Sequence, residues 1–534
     1  MKMCIFYSLI ATLSLTPSVS NAQTQKTLVY CSEGNPESFN PQLTLSGTAS
    51  IATYSTLYDR LIELNPEASK LVPSLATHWT ISPDQLTYTF HLRKDVQFHS
   101  TSYFTPTRSM NADDVLFSFG RQLNPDHEYH RIGGGNYPYF QGTGMNTLIQ
   151  SIKKLDDFTI QIKLHRPEGP FLSHIAMNFM SILSAEYASQ LTRNHRQQEI
   201  DQFPVGTGPF ALKRYTKGSE IRYSAHPYYW VGTPKLHQLV FSITPDAGVR
   251  YQKLKTGECH VIAYPSPADL PSIEANPALR IEKKSGLNLS YLAMNTEKPP
   301  FNQALVRQAI AHALNKDSYI RAIYLGNAKK AISLYPDSVW SYDHSMTDYE
   351  FDPKKAKQLL AQAGYPNGFH TTLWTLPVTR AFNPNGKKMG EMMQKDLAAI
   401  GIQVKLMTFD WSTYLEKARL GEQEMMQLGW SGDTGDPDNF MYPLLSCDSV
   451  TRGSNNSRFC DKEFDRLIIA ARTEKNQDIR AGLYQKAQRR LKEQTPIIPI
   501  AHAMVYRAVS DRVLGFELDS LDRERFFDID LKAL

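Results

Sequence analysis

The chain has 534 residues, 41% of them hydrophobic and 21% charged, which is enough length and apolar content for two or three packed lobes. The formal charge of +5 is spread thinly, and basic clusters such as Arg193-Asn194-His195-Arg196 and Arg489-Arg490 have acids nearby. The composition therefore describes a folded globular protein and carries no nucleic-acid footprint.

Lys2 precedes an apolar run at residues 5–15, followed by Pro17 and the small-residue ending Ser20-Asn21-Ala22. This is the pattern of a secretory signal peptide cleaved after Ala22, giving the assignment 1–22 for the leader. Cys4 stands at the front of the run, not at its end, so it is not placed for lipid attachment. No later segment reaches the roughly 18 to 20 apolar residues of a membrane-spanning helix, and a soluble exported protein is expected. Of five cysteines, Cys4 leaves with the leader. Cys31, Cys259, Cys447 and Cys460 remain, an even set in an oxidising compartment. Three pairings are open; Cys447 and Cys460 bracket a short polar loop and suit a local clip, which would leave Cys31 for Cys259. No CxxC pair supports a metal site.

Residues 27–31 read as a β-branched strand running into the turn Gly34-Asn35-Pro36, and alternation marks strands at 87–92 and 159–164. From about Gly286 helical spacing takes over. Leu305, Val306, Ala309, Ile310, Ala313 and Leu314 share one face. A second helix has Asp352 as N-cap and Pro353 in its first turn, buries Ala356, Leu359, Leu360 and Ala363, and stops at Gly364 before Pro366. Ile479, Leu483, Ala487 and Leu491 mark a third. Strand-like runs at 402–406, 497–501 and 506–510 alternate with these helices, so the expected class is α/β, in two lobes that cross near Gly286.

The stretch Gly429-Trp430-Ser431-Gly432-Asp433-Thr434-Gly435-Asp436-Pro437-Asp438-Asn439-Phe440 sets carboxylates and glycines among aromatic rings. Glycine and Asp favour turns, so it reads as a loop. An ordinary surface turn uses the same residues, but carboxylates beside apolar rings also suit capture of a cation.

Several stretches, in order, resemble the extracellular solute-binding proteins of peptide ABC transporters. They are Asn111-Ala112-Asp113-Asp114-Val115-Leu116-Phe117-Ser118-Phe119, Pro204-Val205-Gly206-Thr207-Gly208-Pro209-Phe210, Pro299-Pro300-Phe301 with Val306-Arg307-Gln308-Ala309, and Phe351-Asp352-Pro353-Lys354-Lys355-Ala356. Residues 26–34, 241–246 and 432–440 resemble the dipeptide branch in Gram-negative bacteria. The resemblance covers the mature chain. It implies a periplasmic, two-lobed binding-protein fold (type II, cluster C), with lobe I at 23–285 carrying an extra subdomain at about 60–200, lobe II at 286–503, and a return to lobe I at 504–534. It pairs the cysteines as above. It implies a monomer without cofactor or metal that takes a short peptide and hands it to inner-membrane permease subunits.

By the same resemblance Asp433 takes the peptide ammonium and Arg380 the carboxylate, in the bidentate geometry that guanidinium supplies. Ser46, Gly47 and Thr48 present backbone groups, Gly432 belongs to the anchoring loop, and Tyr137 and Trp430 wall the pocket. Phe382 stands where relatives carry Tyr, so a hydroxyl contact is missing there. Residues 103–108 and 184–188 resemble binding proteins of the Sap type, which take antimicrobial peptides, and relatives of the dipeptide branch are associated with haem. An enzyme reading is weaker. His127-Glu128-Tyr129-His130 is one residue short of the zinc-protease spacing, and there is neither a G-x-S-x-G elbow nor a phosphate-binding loop. A secreted hydrolase would need a site built from scattered residues.

Overall fold

The computed structural model describes residues 26–44, 46–65 and 70–533; the expected leader and its cleavage site lie outside them. Strand Thr27–Ser32 is central to the first half, paired in parallel with Gln238–Ile243 on one side and Val261–Ala263 on the other. Antiparallel strands Glu220–Ala225 and Phe210–Thr216 extend that sheet. The second half has its own strands, Asn288–Met294, Met425–Ser431, His370–Trp374 and Gln403–Met407, in that spatial order.

One long strand, Ile497–Ser510, belongs to both. Its first residues pair with Asn288–Met294 and its last with Leu279–Ser285 and Val261–Ala263, so that among the described residues twelve strands form one mixed sheet. The sequence suggested two separate pieces here. They are continuous because Asn288 bonds Ala503 at both ends: the Ala503 N–H donates to Asn288 Oδ1 (2.8 Å), and Asn288 Nδ2 donates to the Ala503 carbonyl (2.9 Å). Gly286 lies against the same carbonyl, 2.6 Å from where a Cβ would stand, so the connection from Leu279–Ser285 to Asn288–Met294 passes directly beside the long strand.

A separate four-stranded antiparallel sheet, Ala76–Ile81, Thr87–Leu92, Thr159–Leu164 and Ile149–Asp156, belongs to the first half. Alternation in Thr87–Leu92 buries Tyr88, Phe90 and Leu92, as a half-buried strand should. Helix Ala112–Leu123 packs on this sheet and starts with a capping box: the Asn111 side chain accepts from the Asp113 N–H (2.9 Å) and the Asp114 carboxylate from the Asn111 N–H (2.9 Å). Asp114 is fully buried because Arg108 grips both its oxygens (2.7 and 2.9 Å) and the Ala185 N–H donates to it (2.8 Å). Thr107 donates to Glu186 across the same seam (2.5 Å). The stretches at 103–108 and 184–188 thus hold this helix in place, and none of their residues lines the cavity described below.

In the second half, helix Ala304–Ala313 buries Val306, Ala309, Ile310 and Ala313. Helix Pro353–Gln362 is capped by Asp352 on two N–H groups and buries Ala356 and Leu360. Helix Gln477–Gln494 buries Ala487 and Leu491 as expected but departs from the expected face in its first turns. Ile479 is 53% exposed, and Arg480, Tyr484, Ala487, Gln488 and Leu491 face inward. Polar residues win that face because each finds partners there: Arg480 bonds Asp436 and the Ala471 carbonyl, and Gln488 meets Ser333 and the Ser341 carbonyl. The disulfides join Cys31 to Cys259 and Cys447 to Cys460, with Cα separations of 5.9 and 4.5 Å. Among the described residues no helix is long and apolar enough to cross a membrane.

The glycines of Pro204–Phe210 exist for close approach. A Cβ on Gly206 would stand 1.9 Å from the Leu57 carbonyl oxygen, and one on Gly208 2.5 Å from that of Thr56. Gly206→Ala is therefore expected to lose about 3 kcal/mol or more of stability by overpacking. Gly482→Ala, in open space within helix Gln477–Gln494, should gain about 0.5–1 kcal/mol from helix propensity. Urea unfolding of both variants measures the pair; equal midpoints would refute the packing described for Gly206.

Candidate functional site

Between the two halves lies a cavity of about 640 Å³. The second half contributes Arg380, Phe382, Trp411, Trp430 and Asp433, the first half Ser46, Gly47, Tyr139 and Phe179, and the C-terminal return Asp522, Arg523 and Glu524. Strand Met425–Ser431 carries Trp430 to the wall. Gly429 lets the Phe382 ring lie on the strand backbone, where a Cβ would come within 2.1 Å of it.

Beyond the strand, the three carboxylates of the loop take different roles. Asp436 forms a salt bridge with Arg480 (3.0 Å). Asp438 is buried beside Arg472 (3.6 Å) and His174 (3.7 Å), while Arg472 also grips Glu168, donates to the Thr143 carbonyl (2.6 Å) and stacks 3.8 Å over Tyr442. These two hold the loop. Asp433 alone faces the cavity and makes no salt bridge among the described residues. Its Oδ2 accepts from the Tyr139 hydroxyl (3.0 Å) and from Asn439 Nδ2 (3.4 Å), and its N–H donates to Asn439 Oδ1 (2.8 Å). Burial between the halves pushes its carboxyl up to about 6, against the two side-chain donors and the charge of Arg523, which lower it.

Arg380 sits in a tight turn paired with Asn383, with its guanidinium 5.3 Å from the Trp411 ring centre. It makes a salt bridge with Glu33 (3.2 Å), which comes from the end of strand Thr27–Ser32 in the other half. The acids of the C-terminal return are occupied: buried Arg507 holds Glu524 (2.5 Å) and Asp522 (2.9 Å), while Arg523 pairs with Asp519 (2.7 Å).

Six of the expected site residues thus line the cavity, Arg380, Phe382, Trp430, Asp433, Ser46 and Gly47, the Ser46 hydroxyl being engaged by the Ala49 N–H and by Glu37. Three do not line it. Thr48 is turned inward to donate to Glu33 (2.6 Å). Gly432 is hidden, its N–H on the Leu287 carbonyl (2.6 Å), with no room for a Cβ beside Leu287. Tyr137 is fully buried in the first half, its hydroxyl bonded to the His130 carbonyl (2.8 Å) and to Arg121 (3.1 Å). The aromatic at the wall is Tyr139, two residues on, stacked on Phe179 with ring centres 5.7 Å apart. Glu33 and the return residues 522–524 were missed, since nothing local marks them. His127, Glu128 and His130 lie in turns, and among the described residues no group of His, Cys, Asp and Glu is arranged to hold a metal ion.

Raising the Asp433 carboxyl from 3.8 to about 6 means that the folded protein holds a proton there which the unfolded chain has lost. Stability from this group is therefore complete below pH 4 and declines as pH rises to 6, at a cost of at most about 3 kcal/mol above it. Asp433→Asn should make the ligand-free protein more stable at pH 7.5 and flatten its stability between pH 4 and 6. Chemical denaturation across pH tests this, and a variant less stable than wild type at pH 7.5 would contradict it.

Residues 70–452 match the model of the bacterial extracellular solute-binding proteins, family 5 Middle. The chain is 46% identical over 521 residues to the dipeptide-binding protein of Escherichia coli strain K12, covering 97% of each. It is 43% identical to heme-binding protein A of Haemophilus influenzae over 97% of this chain and 95% of that one. The crystal structure of the dipeptide binding protein from Pseudoalteromonas sp. SM9913 in complex with Met-Leu superposes with a TM-score of 0.93 at 41% identity, over 95% of this chain and 100% of that one. The fold is that of two-lobed periplasmic binding proteins, and the chain belongs to the bacterial extracellular solute-binding proteins of family 5.

Proposed function

We propose that this protein is the periplasmic substrate-binding component of an ATP-driven importer, taking peptides of dipeptide size by lobe closure and delivering them to membrane permease subunits. It binds without chemistry. In this reading lobe I comprises residues 23–285 with the return 504–534, lobe II residues 286–503, the hinge lies at Gly286 and Ala503, and the protein acts as a monomer after cleavage at Ala22.

The observation that carries the reading is Asp433, a buried carboxylate in the cavity that forms no salt bridge among the described residues, with Arg523 acting on it only at longer range. An ammonium arriving there supplies the missing charge, and a buried charge is tolerated only when so paired. Arg380, from a different loop of the same lobe, offers the complementary site for a carboxylate, and Ser46, Gly47, Tyr139 and Trp430 supply polar and aromatic walls. The similarity to proteins named for dipeptides, one of them with Met-Leu bound, points the same way. Haem is the second reading, on the strength of the Haemophilus relative. Among the described residues no histidine or cysteine lines the cavity, which removes two of haem's usual axial ligands.

Asp433→Ala or Arg380→Ala should weaken Ala-Ala binding by about 2–5 kcal/mol, since one end of the ligand is left buried without its partner. That is roughly thirtyfold to several thousandfold by calorimetry. N-acetylation of the ligand should reproduce the first change, and C-terminal amidation should weaken binding in the same direction as the second; wild-type affinity in both variants would eliminate the clamp.

Two end anchors also make a ruler, because each added residue moves the carboxylate by about 3.3–3.6 Å. Thermal-shift measurements with Ala-Ala, tri-alanine, a long cationic peptide and haem should rank the dipeptide first. Equal stabilisation by the long peptide at moderate salt, or a larger shift with haem, would replace the dipeptide reading.

A further inference from the structure

Glu33 does not line the cavity; it lies behind Arg380. Its side chain is 6% exposed. Oε1 accepts from Thr48 Oγ1 (2.6 Å) and from Arg380 Nη1 (3.2 Å), and Oε2 from Ser32 Oγ (3.4 Å). Burial alone would push this carboxyl up, but Arg380 and the Thr48 hydroxyl outweigh it and hold it below the usual range, with Arg250 adding in the same direction. Glu33 is therefore a carboxylate at neutral pH.

The contact has two effects on Arg380. Nη1 is fully used, by Glu33 and by the Thr379 carbonyl (3.2 Å). Nε and Nη2 have no protein acceptor among the described residues, and neither is sealed off from the cavity. That edge of a guanidinium presents two parallel N–H donors, the geometry that matches a carboxylate. The second effect is electrostatic. Glu33, which Arg250 also faces, offsets part of the charge of Arg380, so an incoming carboxylate feels Glu33 as a like charge one guanidinium away.

We propose that Glu33 is a positioning residue: it turns the Nε and Nη2 edge of Arg380 toward the ligand and sets how strongly the site prefers a free carboxylate to an uncharged terminus. This rests on the peptide reading above. Glu33 and Arg380 come from different halves of the molecule, so the fork is fully oriented only when the halves meet around the ligand. A site whose cation is already partly offset discriminates by geometry more than by charge. It holds a peptide without the excess attraction that a lone buried guanidinium would exert.

The test is the ratio of affinities for Ala-Ala and its C-terminal amide, read by calorimetry on the whole mature protein. A merely structural role for Glu33 would change both affinities together and leave the ratio alone. In the wild type the acid should be preferred by less than about a hundredfold, the low end for breaking one charged contact. Glu33→Gln keeps the shape and removes the like charge, and should raise the ratio roughly tenfold. Glu33→Asp keeps the charge and should stay within about threefold of wild type.

An unchanged or lower ratio in Glu33→Gln, with Ala-Ala still binding the wild type, overturns the role of Glu33 and spares the peptide reading. A wild-type ratio above about a hundredfold does the same, and that measurement needs no variant. A wild type that binds neither peptide overturns both.

Discussion

A charge taken out of water without a partner costs several kcal/mol, and the loop between Ser431 and Asn439 is arranged around that cost. Asp436 and Asp438 meet Arg480 and Arg472, which come from helices Gln477–Gln494 and Lys462–Thr473. Those pairs pin the loop at its far side. Asp433 is then left facing the cavity with only neutral donors, Tyr139 and Asn439. These hydrogen bonds and the more distant charge of Arg523 do not offset its burial, which is why the carboxyl is pushed up to about 6. The proposed peptide site is thus a local deficit of charge within a well-paired surround.

Much of the fold was legible because its signals are local. The Asp352 cap with Pro353 and alternation at 87–92 each involve residues within a few positions of one another. The resemblance of short motifs carried the anchors Asp433 and Arg380, and both face the cavity. What stayed hidden was set by distant contacts. Glu33 and Arg380 are 347 residues apart, and no periodicity links them. Helix Gln477–Gln494 buries Ala487 and Leu491 as expected but exposes Ile479, because Arg480 and Gln488 are buried with partners from elsewhere, which a purely apolar count cannot anticipate. Tyr137 and Tyr139 flank the same proline, and only the packing decides which ring enters the core and which enters the wall.

The motif glycines show the same division between pattern and cause. Gly206 and Gly208 match a family turn, but the reason is that the backbone at Thr56 and Leu57 occupies the space where their side chains would be. The stretches that resemble antimicrobial-peptide binders likewise have a structural cause: Arg108, Asp114, Thr107 and Glu186 tie one helix to its neighbours, away from the cavity. A motif shared with a binding protein is therefore weak evidence about its ligand when the motif's contacts are all internal.

The two disulfides are placed so that covalent reinforcement and large-scale motion do not interfere. Cys31–Cys259 joins the strand Thr27–Ser32 to the chain entering Val261–Ala263, two strands that are already paired. Cys447–Cys460 closes a stretch of 13 residues within the other half. Neither bridge runs from one half to the other, where the links near Gly286 and Ala503 are backbone and hydrogen bonds alone. An oxidising compartment can therefore harden each half against unfolding and proteolysis without adding any cross-link between the halves beyond the backbone itself.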